Sequence, residues 1–345
     1  MNSWEETLAA YNYDVPPELI AQRGAEPRES ARLLVYSRAT KVITLATFAD
    51  LPAYLPPGAV LVFNETRVIP ARFLAHTKEG EEVSITVTSI KEGVIQTLSS
   101  RRVPLGNSVS SHGRDFSVKE RQEQLTWYET RMSVEEMIVF LHLHGAAPLP
   151  PYIKHSSLTR EEAKADYQAI FARHDGSFAA PTASLHFSER LIESLKAKGM
   201  QIEFVTLHVG LGTFLPLTER NLSEGRLHEE FFSLSPDTAE RLEAARREKR
   251  CVIPVGTTSL RTLESAFNDE GVLLRLSGTT ELFIRDDYAF KMAGGLITNF
   301  HVPQSSLLML VDAFLGKKGS WRPLYERALE ERFRLFSFGD GMLIL

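Results

Sequence analysis

Hydrophobic and polar positions alternate along this chain in two different textures. Between about residues 73 and 132 the apolar residues come every second position in short runs, EEVSITVTSI, GVIQTLSS and LTWYETRM, broken by Gly, Asn and Ser. That period predicts half-buried strands joined by tight turns, and hence a small all-β module. On either side of it the pattern lengthens into strand and helix units. The stretch SFAAPTASLHFSERLIESLKAKGMQIEFVTLHVGLGTF, residues 177–214, holds one such unit. Ser188 is placed as an N-cap with Glu189 in the first turn, Leu191, Ile192 and Leu195 share a face, and Gly199 ends the helix. A strand then runs over Gln201–His208 into a loop with Gly210 and Gly212. A helix of about ten residues is roughly 15 Å long and the strand returns over a similar distance, so His186 and His208 can lie at one edge of the fold. Each is either a hydrogen-bonded residue at an element's end or a proton-transfer group, and the neighbouring glycines would let a ligand approach.

Similar units flank this one. Pro56, Pro57 and Gly58 turn the chain into an apolar strand, Ala59–Phe63, followed by Asn64, Thr66, Arg67 and Arg72. Such a set could hold a carboxylate or phosphate, or could brace a loop. MSVEEMIVFLHLHG reads as a helix capped by Ser133 and stopped by Gly145. His142 and His144 in it are two apart, off a common face, and make a poor metal pair. APLPPYI, residues 147–153, is a rigid connector, followed by a helix carrying Tyr167 and Phe171. Residues 236–250 form a charged helix. Cys251–Val255 is a strand, Gly256, Thr257, Thr258 and Ser259 a polar turn, and Leu260–Phe267 a helix with Arg261 and Glu264. Leu296–Phe300 is another strand, followed by His301, Pro303 and a helix over Ser305–Leu315. Ligands of α/β sheets settle outside the carboxyl ends of the strands. Asn299, His301, Thr257, Thr258, His186 and His208 all stand there.

Composition narrows the reading. The 345 residues, 43% hydrophobic and 24% charged, suffice for two domains. A single cysteine, Cys251, excludes an internal disulfide framework and fits a reducing cytosol. No run approaches the roughly 20 apolar residues that span a bilayer, so a cytoplasmic location is expected. A net charge of −5 argues against a general nucleic-acid binder and leaves room for a local basic patch. HExxH, paired CxxC, Walker and G-x-G-x-x-G spacings are all missing, and no metal is expected.

Seven segments in order, VFNETRVIPAR, PLPPYI, AAPTASLHF, FVTLHVGLGTF, VGTTSLRTLES, LITNFHVP and FSFGDGMLI, closely resemble the S-adenosylmethionine:tRNA ribosyltransferase-isomerase family of queuosine biosynthesis. The resemblance implies an α/β main domain with a distorted barrel-like sheet, residues 1–66 and 148–345, and an inserted small β-barrel domain, residues 67–147. It implies transfer of the ribosyl part of S-adenosylmethionine to 7-aminomethyl-7-deazaguanine at the wobble position, giving epoxyqueuosine, adenine and methionine. The implied partners are a tRNA with a GUN anticodon and S-adenosylmethionine as co-substrate, with no metal, and the implied assembly is a monomer. Such chemistry needs a base for a C5′ proton made acidic by the sulfonium and an acid for departing adenine. His186 and His208 are the expected pair, with His228 and Glu230 of RLHEE as rivals. Thr182, Thr257, Thr258, Ser259, Arg261, Asn299, His301 and Asp340 are expected to bind substrate, with Asn64, Arg67 and Arg72 on substrate or tRNA backbone.

The chain departs from the family pattern at several motif positions. Ser184 replaces a glycine, Gly294-Gly295 an Asp-Ala pair, and Gly225 a histidine. Phe338-Gly339-Asp340-Gly341 replaces Tyr-Gly-Asp-Ala, and SSRRVPLGN a proline-glycine-basic segment. A paralogue of the same fold with a different acceptor is the alternative these changes raise.

Overall fold

The computed structural model describes residues 4–210, 216–286 and 288–345. Gly212 of the glycine loop lies outside them. Three strands open the fold: β1 (Arg32–Tyr36), β2 (Ile43–Thr47) and β3 (Val60–Asn64). After the short β4 (Thr66–Val68) come six strands, β5 to β10: Arg72–Thr77, Glu82–Lys91, Val94–Ser99, Ser108–Ser111, Arg114–Gln122 and Leu125–Glu129. Next are β11 (His174–Ser177), β12 (Gln201–Leu207), β13 (Arg226–Ser233), β14 (Val252–Val255), β15 (Ser277–Leu282), β16 (Leu296–Asn299) and β17 (Gly341–Ile344).

Strands β5 to β10 close on themselves in the order β10-β7-β6-β5-β8-β9. Their alternating pattern explains why. Phe73, Ala75, Val83, Ile85, Val87, Ile95, Phe116 and Tyr128 all point inward and are buried, while the intervening polar residues face water. Helix Val134–His144 packs Met137, Phe140 and Leu141 against this core, and its start is fixed by a capping box between Ser133 and Glu136.

Strands β4 and β11 pair with each other, and nine further strands of the described residues form one mixed sheet, β15-β13-β12-β3-β14-β16-β17-β1-β2. Its centre, VLVFN, VIPV, LITN and GMLI, is buried at every position. Such runs belong to strands covered on both faces. Leu61 and Phe63 meet helix Glu189–Ala197 through Leu191 and Leu195, while Val60 and Val62 join Leu242, Ala245 and Leu263 of helices Pro236–Arg247 and Thr257–Ala266 on the opposite face. Because β12, β3, β14 and β16 are parallel neighbours, the residues after Leu207, Asn64, Val255 and Asn299 emerge at one edge. Antiparallel β17, with Gly341 opposite Asn299, brings Phe336–Asp340 to the same place.

Several local expectations change. The polar turn after β14 does not form, since helix Thr257–Ala266 starts directly at Thr257. Gly256 makes this corner at φ +90°, a conformation open mainly to glycine. Tyr167 caps helix Arg160–Asp166 and Phe171 lies beyond it, rather than within it. Strands β2, β13 and β15 were not visible in the apolar pattern; β13 and β15 have a largely solvated face.

Candidate active site at the carboxyl edge of the sheet

A cavity of about 400 Å³ opens at this edge, a size typical of small-molecule sites. Its walls are Ala179–Ala183, Gly256–Thr258, the chain from Thr298 to Leu307, Phe336, Ser337, Pro151, Tyr152 and Val209. A small annex shares Pro216, Leu217, Thr257, Thr258, Ser306 and Leu307 with it and adds His228, Glu230 and Arg261 among others.

The deep wall is built around Asn299. Thr182 Oγ1 donates to Asn299 Oδ1 at 2.9 Å. The Asn299 amide nitrogen donates to Phe336 O and to His186 Nε2, both at 3.2 Å. His186 itself is 4% exposed, stacks on Phe48 at 4.2 Å and does not line the cavity. Burial, followed by the positive charges of Arg334 and Arg28, lowers its pKa to about 3, so the ring is neutral near pH 7. His301 does line the cavity. Its Nε2 lies 2.8 Å from Thr298 Oγ1, its backbone N–H donates to Tyr325 Oη at 2.9 Å, and burial likewise lowers it to about 3. Tyr152 Oη and Ser337 Oγ, 2.6 Å apart, complete this side.

The annex wall carries different groups. Ser259, expected to bind substrate, lines neither cavity nor annex and instead donates to Val255 O at 3.0 Å, which bonds helix to strand. Thr258 Oγ1 is buried without a hydrogen-bond partner among the described residues. Arg261 is 6% exposed. Its Nη1 pairs with Glu230, its Nε donates to Leu282 O at 3.0 Å, and its Nη2 is again buried without a partner among the described residues. Glu230 also accepts from Gly210 N at 3.1 Å. His228, two residues earlier on β13, is exposed and lines the annex.

The remaining expected site residues stand elsewhere. His208 places Nδ1 2.9 Å from Thr66 Oγ1, which in turn meets Ser177 Oγ at 2.7 Å, and its ring stacks on Phe231 at 5.8 Å. Burial lowers its pKa, helped by His174. It lines neither the cavity nor the annex. Fully buried Asn64 ties β3 to β12, donating to Leu207 O at 2.9 Å and accepting from Leu207 N at 3.0 Å. Arg67 donates to Ala172 O at 2.9 Å beside a separate pocket with His142 and Lys164. Arg72 donates to Ser84 Oγ at 3.0 Å on the barrel. Asp340, 1% exposed, accepts from Arg32 N at 3.0 Å and Arg334 N at 2.8 Å and braces two loops. Tyr152, Ser306, Phe336 and Ser337 line the cavity without having been singled out in the sequence. Tyr152 stands in the segment PLPPYI, Phe336 and Ser337 open FSFGDGMLI, and Ser306 follows the cap of an apolar helix. Among the described residues, no three His, Cys, Asp or Glu side chains converge as a metal site would require.

The departures from the family pattern also find places, all off the cavity and annex. A Cβ on Gly294 or Gly295 would lie 2.9 Å from Cys251 Sγ or a Leu345 methyl, at the amino-terminal edge of β16. One on Gly341 would lie 2.9 Å from Phe48, the ring beneath His186. Gly225 is the left-handed cap of helix Glu219–Glu224, and Ser184 is buried with its hydroxyl unpartnered among the described residues.

A family model described as queuosine biosynthesis protein matches residues 8–344. Among curated proteins, the S-adenosylmethionine:tRNA ribosyltransferase-isomerase of Ralstonia pickettii is 41% identical over 98% of this chain and 94% of its own length. That of Clostridioides difficile is 40% identical over 97% and 98%. Among solved structures, an S-adenosylmethionine tRNA ribosyltransferase from Thermotoga maritima is 32% identical, with a TM-score of 0.55 over 97% of this chain and 100% of that one.

Proposed function

The chain belongs to the queuosine biosynthesis protein family, and from that premise we propose that it catalyses the reaction for which its curated relatives are named. The ribosyl group of S-adenosylmethionine passes to the aminomethyl group of 7-aminomethyl-7-deazaguanine in tRNA, and adenine and methionine are released. The observation that carries the reading is the pairing of a cavity of about 400 Å³ with an annex whose buried polar atoms lack partners. Burying a donor without an acceptor costs about 1–3 kcal/mol. Thr258 Oγ1, in the first turn of a ten-residue helix, and Arg261 Nη2, three residues further on, therefore suit the acceptor atoms of a ligand. A carboxylate suits them, because a guanidinium and a helix N-terminus both favour an anion. We assign this place to the methionyl carboxylate, and the walls of Val209, Phe300 and Phe336 to the adenine face.

The proton transfers fall to the annex rather than to His186 and His208. His228 is exposed at the annex and presents its imidazole there as a proton acceptor. It is assigned removal of the C5′ proton, which it then delivers to departing adenine, while Glu230, paired with Arg261 and accepting from Gly210 N, holds the Arg261 guanidinium at the annex. His186 is a positioning residue that fixes Asn299. The departures from the family pattern lie off the cavity and annex, which supports an unchanged donor and modified base, while those in SSRRVPLGN line a separate depression on the barrel. The test is adenine release from S-adenosylmethionine with and without tRNA bearing 7-aminomethyl-7-deazaguanine, followed by nucleoside mass spectrometry. Release only with that tRNA, with a product of epoxyqueuosine mass, is expected. Turnover with an unmodified tRNA or a free small acceptor would overturn the assignment.

A further inference from the structure

Beside the catalytic cavity runs a second and larger depression, of about 1110 Å³, between the barrel and the connector around Pro148–Pro151. Five cationic side chains line it, Arg72, Arg101, Arg102, Arg121 and Lys154, against one carboxylate, Glu123. In a chain whose net charge is −5, this is a local reversal of sign. The cations come from separate segments: β5, the turn after β7, β9 and the residue that follows the connector. Their remaining donors are unevenly used. Arg101 reaches Glu81 at 3.1 Å and Arg121 donates to Val103 O, whereas neither Arg102 nor Lys154 has a partner among the described residues.

The groove is continuous with the chemistry. Pro151 lines both it and the catalytic cavity, and Pro216 lines the groove, the cavity and the annex. Between the cations, Leu98, Leu105, Leu149 and Ile153 offer apolar surface, and Leu105 is 64% exposed. A base modified in an enclosed cavity has to leave its stack, and its flanking phosphates then lie just outside. A row of cations over apolar patches fits such a backbone, and it fits an acidic protein less well, since the apolar side chains would meet carboxylates.

On the functional reading given above, we propose that this groove holds the phosphate backbone of the substrate RNA next to the modified base. Arg102 and Lys154 are its unneutralised contacts, and each neutralised phosphate contributes about 0.7–0.9 to the slope of log affinity against log salt.

The experiment compares wild-type protein with R102A/K154A and with K317A/K318A. The control removes the same charge from the end of helix Ser306–Leu315 that points away from the cavity. Affinity for the substrate tRNA is measured over a salt series, together with steady-state adenine release. For R102A/K154A the salt slope is expected to fall by about 1.4–1.8 and the KM for tRNA to rise at least about tenfold. Its KM for S-adenosylmethionine and its kcat at saturating tRNA should stay unchanged, and the control should behave as wild type. A wild type active on tRNA with R102A/K154A showing an unaltered slope and KM, or with the control losing as much, would overturn the groove alone. A wild type that neither binds nor turns over the tRNA would overturn the functional reading and the groove with it.

Discussion

The two walls of the cavity at the carboxyl edge of the sheet are polar in different ways. On the deep wall, Asn299, Thr182, Thr298, His301, Tyr152 and Ser337 spend their hydrogen bonds on one another, on His186 or on backbone. On the annex wall, Thr258 Oγ1 and Arg261 Nη2 are buried with none among the described residues. A satisfied wall is rigid and fixes shape, whereas a wall with unpaired donors is complementary to something not yet bound. The difference separates residues that hold the site from residues that meet the substrate, even where both kinds are equally buried.

The most damaging change to this contrast is Arg261→Ala, which leaves buried Glu230 without its cation. Removing one partner of a buried pair costs about 3–5 kcal/mol, so denaturant unfolding should show a loss of that order and turnover should vanish. Arg261→Lys keeps the charge and removes the second donor. Losing a charge-assisted hydrogen bond of about 1.5–3 kcal/mol predicts a KM for S-adenosylmethionine raised roughly 10- to 100-fold, with little change in tRNA affinity by titration.

Acid acts on the deep wall instead. His186 and His301 sit at about 3 in the folded protein, below about 6.5 in the unfolded chain, so unfolding takes up protons between those values. Their contribution is complete above about pH 6.5 and is lost as pH falls toward 3, at up to about 1.4 kcal/mol per pH unit for each ring. Urea midpoints measured across that window should slope less steeply for His186→Gln than for wild type. The smallest effect is expected at Ser184, whose unpartnered hydroxyl faces no cavity. Ser184→Ala should be neutral or stabilising by about 1 kcal/mol in thermal unfolding, with activity retained, unlike a change at Thr258.

Local chemistry made much of the fold legible. The capping box of Ser133 and the cap of Ser188 with Gly199 mark helices that formed within a residue or so of the positions read from sequence. The alternation from residue 73 onward became the closed barrel. The start of helix Thr257–Ala266 was hidden because Thr, Thr and Ser after a glycine favour a turn until Gly256 adopts φ +90° and packing on the sheet holds the helix in place. Strand β13 escaped notice because four of its eight residues are exposed, yet it carries His228 and Glu230. At the site, sequence order placed Asn299, His301, Thr257 and Thr258 on the cavity. It could not tell that His186 stands behind Asn299 and that His208 turns to Thr66. Those orientations depend on contacts more than one hundred residues apart.

On the proposed function the annex wall reacts and the deep wall positions. Single-turnover adenine release by His228→Ala and His186→Gln, at saturating S-adenosylmethionine and substrate tRNA, tests it most directly. A fall of about 10²- to 10⁴-fold is expected for His228→Ala, as loss of a general acid or base gives, and a fall of less than about tenfold for His186→Gln. The opposite order would contradict it and return the proton transfers to the buried histidine.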